Sequence, residues 1–406
     1  MSRLLFVTAQ LPYPPHQGGA LRTLGLIKGL AERGHRVTLL SLIEEGQPDW
    51  QSTPLADLCD RVVTVPAPSR TSVERLRDLL TGRVDMERRL WTPALLEALH
   101  TLLDDQPFGG IHFEGIEVAA YLNQIHDHVR ENFPGTLLIY DAFNAEYDLQ
   151  RRISRQDLQI IRRLPVALYS VIQARRLERF ERQVCRLSDH VIAVSEADGR
   201  LLASLEPGTP VTVVPNAIDA ASYETGGEEI AAIEHPALVF TGKMDYRPNV
   251  DAALWFADSV LPLIQEAVPG AHFTVVGQKP HPRLDRLRGR TDITLTGWVP
   301  SVRPYVRAAD VFVIPMRMGS GTRLKLLEAM AMRRAIVSTR LGAEGVAGEG
   351  VDFLLLADDS QAFAAVVIEL LNDSEGRRSL GEKAAAYVKQ HYDWPVIIPR
   401  IESLYR

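Results

Sequence analysis

The segment GSGTRLKLLEAMA, residues 319–331, carries the strongest chemical pattern in the chain. Gly319 and Gly321 flank Ser320, so backbone N–H groups can approach a ligand closely there. A helix starting near Thr322 adds its unpaired N–H groups and positive dipole end. Such a loop cradles an anion. Lys325 lies about one turn into that helix and Glu328 three residues further, so the two can share a face. A lysine suits a phosphate as a compact point charge, whereas a glutamate suits hydroxyl donors such as those of a ribose. The same residues also fit a glycine turn capping a helix with a surface ion pair. A second pattern, FTGKMDYRPNVDAALWF at 240–256, ends a strand at Gly242 and projects Lys243 where strand gives way to loop. Its other reading is a solvated turn ahead of an amphipathic helix.

Near the start, Gly18 and Gly19 in PPHQGGALR precede a helical pattern beginning at Ala20. The spacing is not GxGxxG, so the close approach a nicotinamide dinucleotide needs is not encoded. A helix N-terminus there can neutralise a phosphate, or the glycines merely turn the chain. The histidines never take the spacing of a zinc site, and HExxH, G-x-S-x-G and GxxxxGK[ST] are all absent from the sequence. No metal site and no cofactor are expected.

These residues need a scaffold, and the apolar runs supply it. RLLFVTA (3–9), VTLLSLI (37–43), RVVTVP (61–66), GGIHFEG (109–115), TLLIYDA (136–142) and HVIAVS (190–195) alternate with helical patterns. Solid runs of this kind are strands of a parallel sheet covered on both faces. The grammar restarts with ALVFTG (237–242), HFTVVG (272–277), ITLTGWV (293–299), ADVFVIP (309–315) and AIVSTR (335–340), with helical windows at 250–268 and 323–332 between them. The fold class is α/β, with an N-terminal domain over 1–212, a C-terminal domain over 213–385, and an apolar segment, 386–406, that packs back on the body. Two such domains in tandem make an interdomain cleft the expected ligand site.

A chain of 406 residues, 46% hydrophobic and with a formal charge of -6, suits two soluble domains and no generic nucleic-acid partner. Cys59 and Cys185 are too isolated for a zinc knuckle or a disulfide framework. The first apolar run reads as a strand rather than a leader, and no run reaches the roughly 20 apolar residues of a membrane span. A cytoplasmic location is expected. One stretch departs from the acidic average: residues 151–186 hold ten arginines and three acids, a net of +7. Its apolar positions recur at helical spacing, with Pro165 dividing the run. It reads either as two arginine-rich helices packed on the sheet or as a peripheral contact with anionic lipid at the inner face of the plasma membrane.

Taken together, VVPNAID (213–219), FTGKMDY (240–246), LTGWVPSVRPYVRAADVFVIP (295–315) and GSGTRLKLLEAMA resemble the large family 4 of retaining GT-B glycosyltransferases. More finely, FTGKMDYRPNVDA and GTRLKLLEAM are similar to a bacterial subgroup associated with exopolysaccharide and exosortase gene clusters. The resemblance implies two Rossmann-like α/β/α domains facing across a cleft. It implies transfer of a sugar, with retention, from a nucleotide-diphosphate sugar of the UDP or GDP type to a glycan or lipid-linked acceptor. It further implies that Lys243 and Lys325 contact the donor diphosphate, that Glu328 holds the ribose, and that the backbone at Trp298 and Val299 meets the base. Gly18 and Gly19 would line the site from the N-terminal domain, and Asn144 and Glu146 would touch the transferred sugar or the acceptor. Two positions depart from the family. Ser320 stands where a glutamate commonly holds sugar hydroxyls, which leaves the donor sugar unassigned. Pro248 stands where a basic residue is common, with Arg247 beside it as a substitute. A nucleotide-sugar epimerase and a non-catalytic nucleotide-sugar or polysaccharide binder are the alternatives.

Overall fold

The computed structural model describes residues 1–15, 18–71, 84–158, 164–224, 230–319, 323–348 and 350–405, with the backbone alone for 153–158 and 164–170. The chain divides into two compact units, Met1–Asn216 with Ile397–Arg406, and Ala217–Val396.

The first unit is built on a seven-stranded sheet: β1 (Arg3–Thr8), β2 (Arg36–Ile43), β3 (Arg61–Pro66), β4 (Gly110–Glu114), β5 (Leu137–Ala142), β6 (His190–Ala193) and β7 (Val211–Val213). The spatial order is β3-β2-β1-β4-β5-β6-β7 and every pairing is parallel. The chain thus begins in the middle of the sheet, as in doubly wound nucleotide-binding folds, and reverses its direction of travel between β1 and β4. The strands are buried along almost their whole length because helices pack on both faces; Leu5, Val7, Leu40, Phe113 and Leu138 share one core cluster. Helix α1 (Gly18–Glu32) takes in both glycines expected to precede it. Helices α2 (Glu146–Leu158) and α3 (Leu164–Leu187) follow β5. Pro165 falls in the first turn of α3, where its missing N–H costs little.

Polar residues in this sheet gather at the carboxyl ends of the strands. Thr8, Glu114 and Asp141 lie side by side in register at the ends of β1, β4 and β5, and all three are buried. Arg22 of α1, itself 1% exposed, answers Asp141 with a two-pronged ion pair, Nη2 lying 3.0 Å from both carboxylate oxygens. Its Nη1 donates to the Val214 carbonyl at 2.9 Å and to Asn216 Oδ1 at 3.3 Å, so one guanidinium joins α1, β5 and the segment after β7. Thr23 donates to Glu114 at 3.0 Å. Burial, with the neighbouring Asp141 carboxylate, pushes the Glu114 carboxyl up.

The apolar C-terminal segment completes this unit. In the helix Trp394–Glu402, Ile397, Ile398 and Ile401 are buried. Gly29 of α1 leaves room for Ile398, which a Cβ there would strike. Glu402 accepts from Arg33 at 2.7 Å and bonds His35 at 3.2 Å, and the Tyr405 hydroxyl bonds buried His112.

The second unit repeats the plan with β8 (Ala237–Thr241), β9 (His272–Val276), β10 (Ile293–Leu295), β11 (Val311–Ile314), β12 (Ile336–Ser338) and β13 (Leu355–Leu356). Its order is β10-β9-β8-β11-β12-β13, again wholly parallel, with the reversal between β8 and β11. Helix α4 (Arg247–Trp255) opens the window expected to be one helix over 250–268; a π turn, Phe256–Val260, interrupts it before Leu261–Ala267. Pro262 has no N–H to give and crowds the preceding turn, which accounts for the irregularity. Helix α5 (Leu324–Ala331) follows β11.

Arg22→Leu is expected to cost about 3 to 5 kcal/mol of stability, because it strands Asp141 as a buried charge without a partner. Chemical denaturation of the variant checks this; an unchanged unfolding midpoint would show that the pair is not what holds α1 to the sheet.

Candidate functional site

In the second unit the two glycine-bearing patterns meet where the strand order reverses. Gly242 follows β8 and its N–H donates to the Val276 carbonyl at 3.0 Å, while the Met244 N–H donates to the Gln278 carbonyl at 2.9 Å. The loops after β8 and β9 therefore run together. A Cβ at Gly277 would collide with the Gly242 carbonyl oxygen, so glycine is required by this backbone approach.

Lys325 is the second residue of α5, in its first turn rather than a full turn in, and Arg323 occupies the N-cap. Its ammonium crosses to the end of β8: Nζ lies 2.9 Å from Asn249 Oδ1 and 4.2 Å above the Phe240 ring. A Cβ at Gly242 would stand 2.9 Å from this nitrogen. Burial, reinforced by Arg323 and opposed by Glu328, lowers the ammonium from its ordinary range to about 7. The first N–H groups of α5 have no acceptor within the helix and add to the positive potential.

Lys243 makes two contacts, one through its side chain and one through its backbone. Its ammonium is 3.7 Å from Asp245 in a pair about 40% exposed, which contributes little. Its backbone carbonyl is what joins the cluster, accepting from Asn249 Nδ2 at 2.9 Å. Asn249, buried in the first turn of α4, was not singled out in the sequence.

Glu328 stands on the same helix as Lys325 and accepts from the Tyr223 hydroxyl at 3.1 Å. The Arg303 guanidinium lies 4.1 Å over the Tyr223 ring, and Arg307 donates to the Tyr223 carbonyl at 2.8 Å. Burial raises the Glu328 carboxyl, against the pull of Tyr223, Arg303 and Lys325. A carboxylate has acceptor capacity beyond one hydroxyl, so a ligand hydroxyl can be held as well.

Of the remaining positions in this unit, Gly319 takes a left-handed φ of 116°, where a Cβ would meet the Arg323 guanidinium at 2.8 Å. Ser320, Gly321 and Thr322 lie outside the described residues. Arg247 opens α4. Trp298 is 64% exposed after Gly297 at φ 71°, and Val299 packs on the core.

In the first unit, Gly19 and Gly115 both make room for the Phe143 ring, whose Cε2 would lie 3.0 and 3.3 Å from their Cβ positions. Gly18 is the first residue of α1. Next to Phe143, Asn144 donates to Glu146 at 2.9 Å. The Glu146 carboxyl is pushed up to about 8, by burial first and by Glu117 second. Glu181 of α3 accepts the N–H groups of Glu146 and Tyr147 at 3.1 and 2.8 Å, capping α2. Burial holds Glu181 itself at about 7. The sequence-selected Gly19, Asn144 and Glu146 thus share one neighbourhood at the carboxyl ends of β4 and β5. Among the described residues no group of three or more His, Cys, Asp or Glu could hold a metal ion.

Residues 17–222 match the family described as Glycosyltransferase Family 4, and residues 235–373 match that described as Glycosyl transferases group 1. An uncharacterized 44.6 kDa protein in the cps region of Klebsiella pneumoniae is 20% identical, with 97% of each chain covered. A phosphatidyl-myo-inositol mannosyltransferase of Mycolicibacterium smegmatis is 27% identical over 49% of this chain and 52% of its own. Among solved structures, the sucrose-phosphate synthase of Thermosynechococcus elongatus superposes with a TM-score of 0.72 at 17% identity, covering 100% of this chain and 98% of that one. Anabaena HepE in complex with UDP and glucose gives 0.66 at 14% identity, covering 100% and 99%. The fold is the GT-B architecture of two Rossmann-like α/β units.

The raised carboxyls fix a pH dependence. Glu146 is protonated in the folded chain up to about 8 and in the unfolded chain only up to about 4.5, so the folded form binds more protons between these values and loses stability as pH rises through them. Glu146→Gln is expected to flatten that fall, which melting curves from pH 5 to 9 would reveal. An unchanged slope would mean the Glu146 carboxyl is already ionised at neutral pH.

Proposed function

This chain belongs to Glycosyltransferase Family 4 and acts on a nucleotide-sugar donor, and we propose that it moves the sugar from a UDP- or GDP-linked donor to a glycan or lipid-linked acceptor with retention. The observation that carries this reading is the Lys325 ammonium, brought over Gly242 at the reversal of the strand order. Breaking the glycosidic bond puts negative charge on the departing diphosphate and positive charge on the sugar. Fixed donors accelerate the step only if they hold the leaving group more tightly as that charge grows. A lysine titrating near 7 does so: a diphosphate beside it draws a proton on, and the resulting ion pair strengthens as the bond breaks.

The N-terminus of α5, with Gly319, Ser320, Gly321 and Thr322 before it, supplies further donors. Lys243 and Arg247 add longer-range positive charge. Glu328, oriented by Tyr223, holds the ribose, and the base lies against the backbone at Trp298 and Val299. In the first unit, Gly18 and Gly19 begin α1 and are assigned to the binding of phosphate or acceptor. Asn144 and Glu146 bind the sugar or the acceptor hydroxyl. A Glu146 carboxyl titrating near 8 can share a proton with that hydroxyl. Retention then follows an internal-return route, in which the leaving phosphate guides the acceptor to the face it vacates. No metal enters these steps.

The mannosyltransferase relative supports a lipid-linked acceptor, and the Anabaena complex supports UDP. FTGKMDYRPNVDA and GTRLKLLEAM support the exopolysaccharide-associated subgroup. The basic stretch 151–186 supports a cytoplasmic enzyme that touches the anionic inner face of the plasma membrane.

Thermal unfolding in the presence of UDP, GDP, ADP and their sugar conjugates tests the donor assignment, since a ligand that binds only the folded state raises the melting temperature. One diphosphate is expected to shift it, and Lys325→Ala to abolish the shift and slow turnover by about 100- to 1000-fold. Full turnover by Lys325→Ala would remove the lysine from the mechanism. Interconversion of free nucleotide sugars without acceptor would favour an epimerase, and binding without turnover on any acceptor a binding protein.

A further inference from the structure

We propose that Asn249 is the positioning residue of the donor site: its neutral amide holds the Lys325 ammonium at the end of β8 without cancelling the charge that the donor diphosphate meets. This rests on the reading above, in which Lys325 faces that diphosphate.

The two ends of the Asn249 amide are used in opposite senses. Oδ1 accepts from Lys325 Nζ at 2.9 Å, and Nδ2 donates to the Lys243 carbonyl at 2.9 Å. An ammonium can only donate and a carbonyl can only accept, so the amide sits one way round and is locked from both sides. A single buried side chain therefore ties the backbone of the loop after β8 to the charged end of a side chain from α5. The fit is close: a Cβ at Gly242 would lie 2.7 Å from Asn249 Nδ2 and 2.9 Å from Lys325 Nζ, so the space a larger residue would fill is taken by amide and ammonium together. The Phe240 ring lies 4.2 Å from Nζ. Charge reaches Lys325 from two residues of its own segment, Arg323 against the ammonium and Glu328 for it.

Aspartate has nearly the same shape as asparagine and the opposite consequence. Its carboxylate would form a salt bridge with Lys325 that an incoming phosphate must break. It would also set an acceptor against the Lys243 carbonyl, where the amide places a donor. The amide satisfies the lysine and brings no negative charge of its own to compete with a phosphate.

The test compares wild type, Asn249→Asp, Lys325→Met and the double variant by two readouts. The first is the titration of Lys325 in ligand-free protein, followed by NMR of isotopically methylated lysines, with Lys325→Met identifying the resonance. Asn249→Asp is expected to raise its midpoint by about one to three pH units. The second is UDP affinity by calorimetry. Asn249→Asp is expected to weaken UDP by about 10- to 100-fold when Lys325 is present and to have no further effect when it is absent. Asn249→Ser, shorter and uncharged, covers the case in which the aspartate does not fold; it should weaken UDP by a smaller factor, again only with Lys325 present. A titration indifferent to Asn249→Asp, or equal losses with and without Lys325, overturns the positioning role and leaves the donor reading standing. If UDP, GDP and ADP all fail to bind wild type, the donor reading falls and takes the role of the amide with it, even where the titration has moved.

Discussion

A parallel sheet that starts in its middle strand must open a crevice at the carboxyl end of that strand, because the crossovers to either side leave in opposite directions. Both units of this chain obey that constraint, with reversals between β1 and β4 and between β8 and β11. What differs is how the crevice is furnished. In the second unit, loop backbones converge so tightly that glycine is needed at 277, and the space beside Gly242 holds an amide and an ammonium. In the first, the strands end in Thr8, Glu114 and Asp141, and α1 brings Arg22 and Thr23 to meet them.

These furnishings set the electrostatics. Arg22 and Asp141 satisfy each other by geometry, with further acceptors at Val214 and Asn216, and such a pair fixes structure. Lys325 and Glu146 are treated differently. Each has one neutral amide partner, Asn249 or Asn144, and burial moves each toward neutrality, to about 7 and about 8. A group in that state takes its charge from what arrives beside it, which suits a site where charge develops during reaction.

The solid apolar runs made the strands legible, and glycine beside lysine made Gly242 and Lys325 legible as candidates. The edge strand β13 was not, since two residues make no run, nor was β7, whose apolar residues run straight into Pro215. Nor was Asn249, an ordinary polar residue after a proline, whose meaning arises from the room Gly242 leaves across the loop. Lys243 adds a contact that side-chain chemistry does not announce: its carbonyl accepts from Asn249. Arg22 did leave a trace, a charge four residues from Leu26 on the apolar stripe of α1, and Asp141 another at the end of a hydrophobic strand. A charge inside an apolar pattern signals a partner elsewhere; the sequence does not say which.

The basic stretch shows how far a charge count can mislead. Residues 151–186 contain three acids, yet Glu181 is fully buried, its carboxylate occupied by the Tyr140 hydroxyl and the first N–H groups of α2. It offsets none of the arginine charge at the surface, and burial holds it at about 7, so it is not even fully ionised near neutral pH. Glu178 is paired within its own helix to Arg182 at 3.1 Å. Leu177, Phe180 and Val184 are buried on the core side of α3, whereas Arg175, Arg179 and Arg186 are exposed. The charge that α3 presents to water therefore differs from its composition: inward-facing Glu181 serves the fold and drops out of the surface balance, while Arg186 is paired at 3.1 Å with Glu206 outside the stretch.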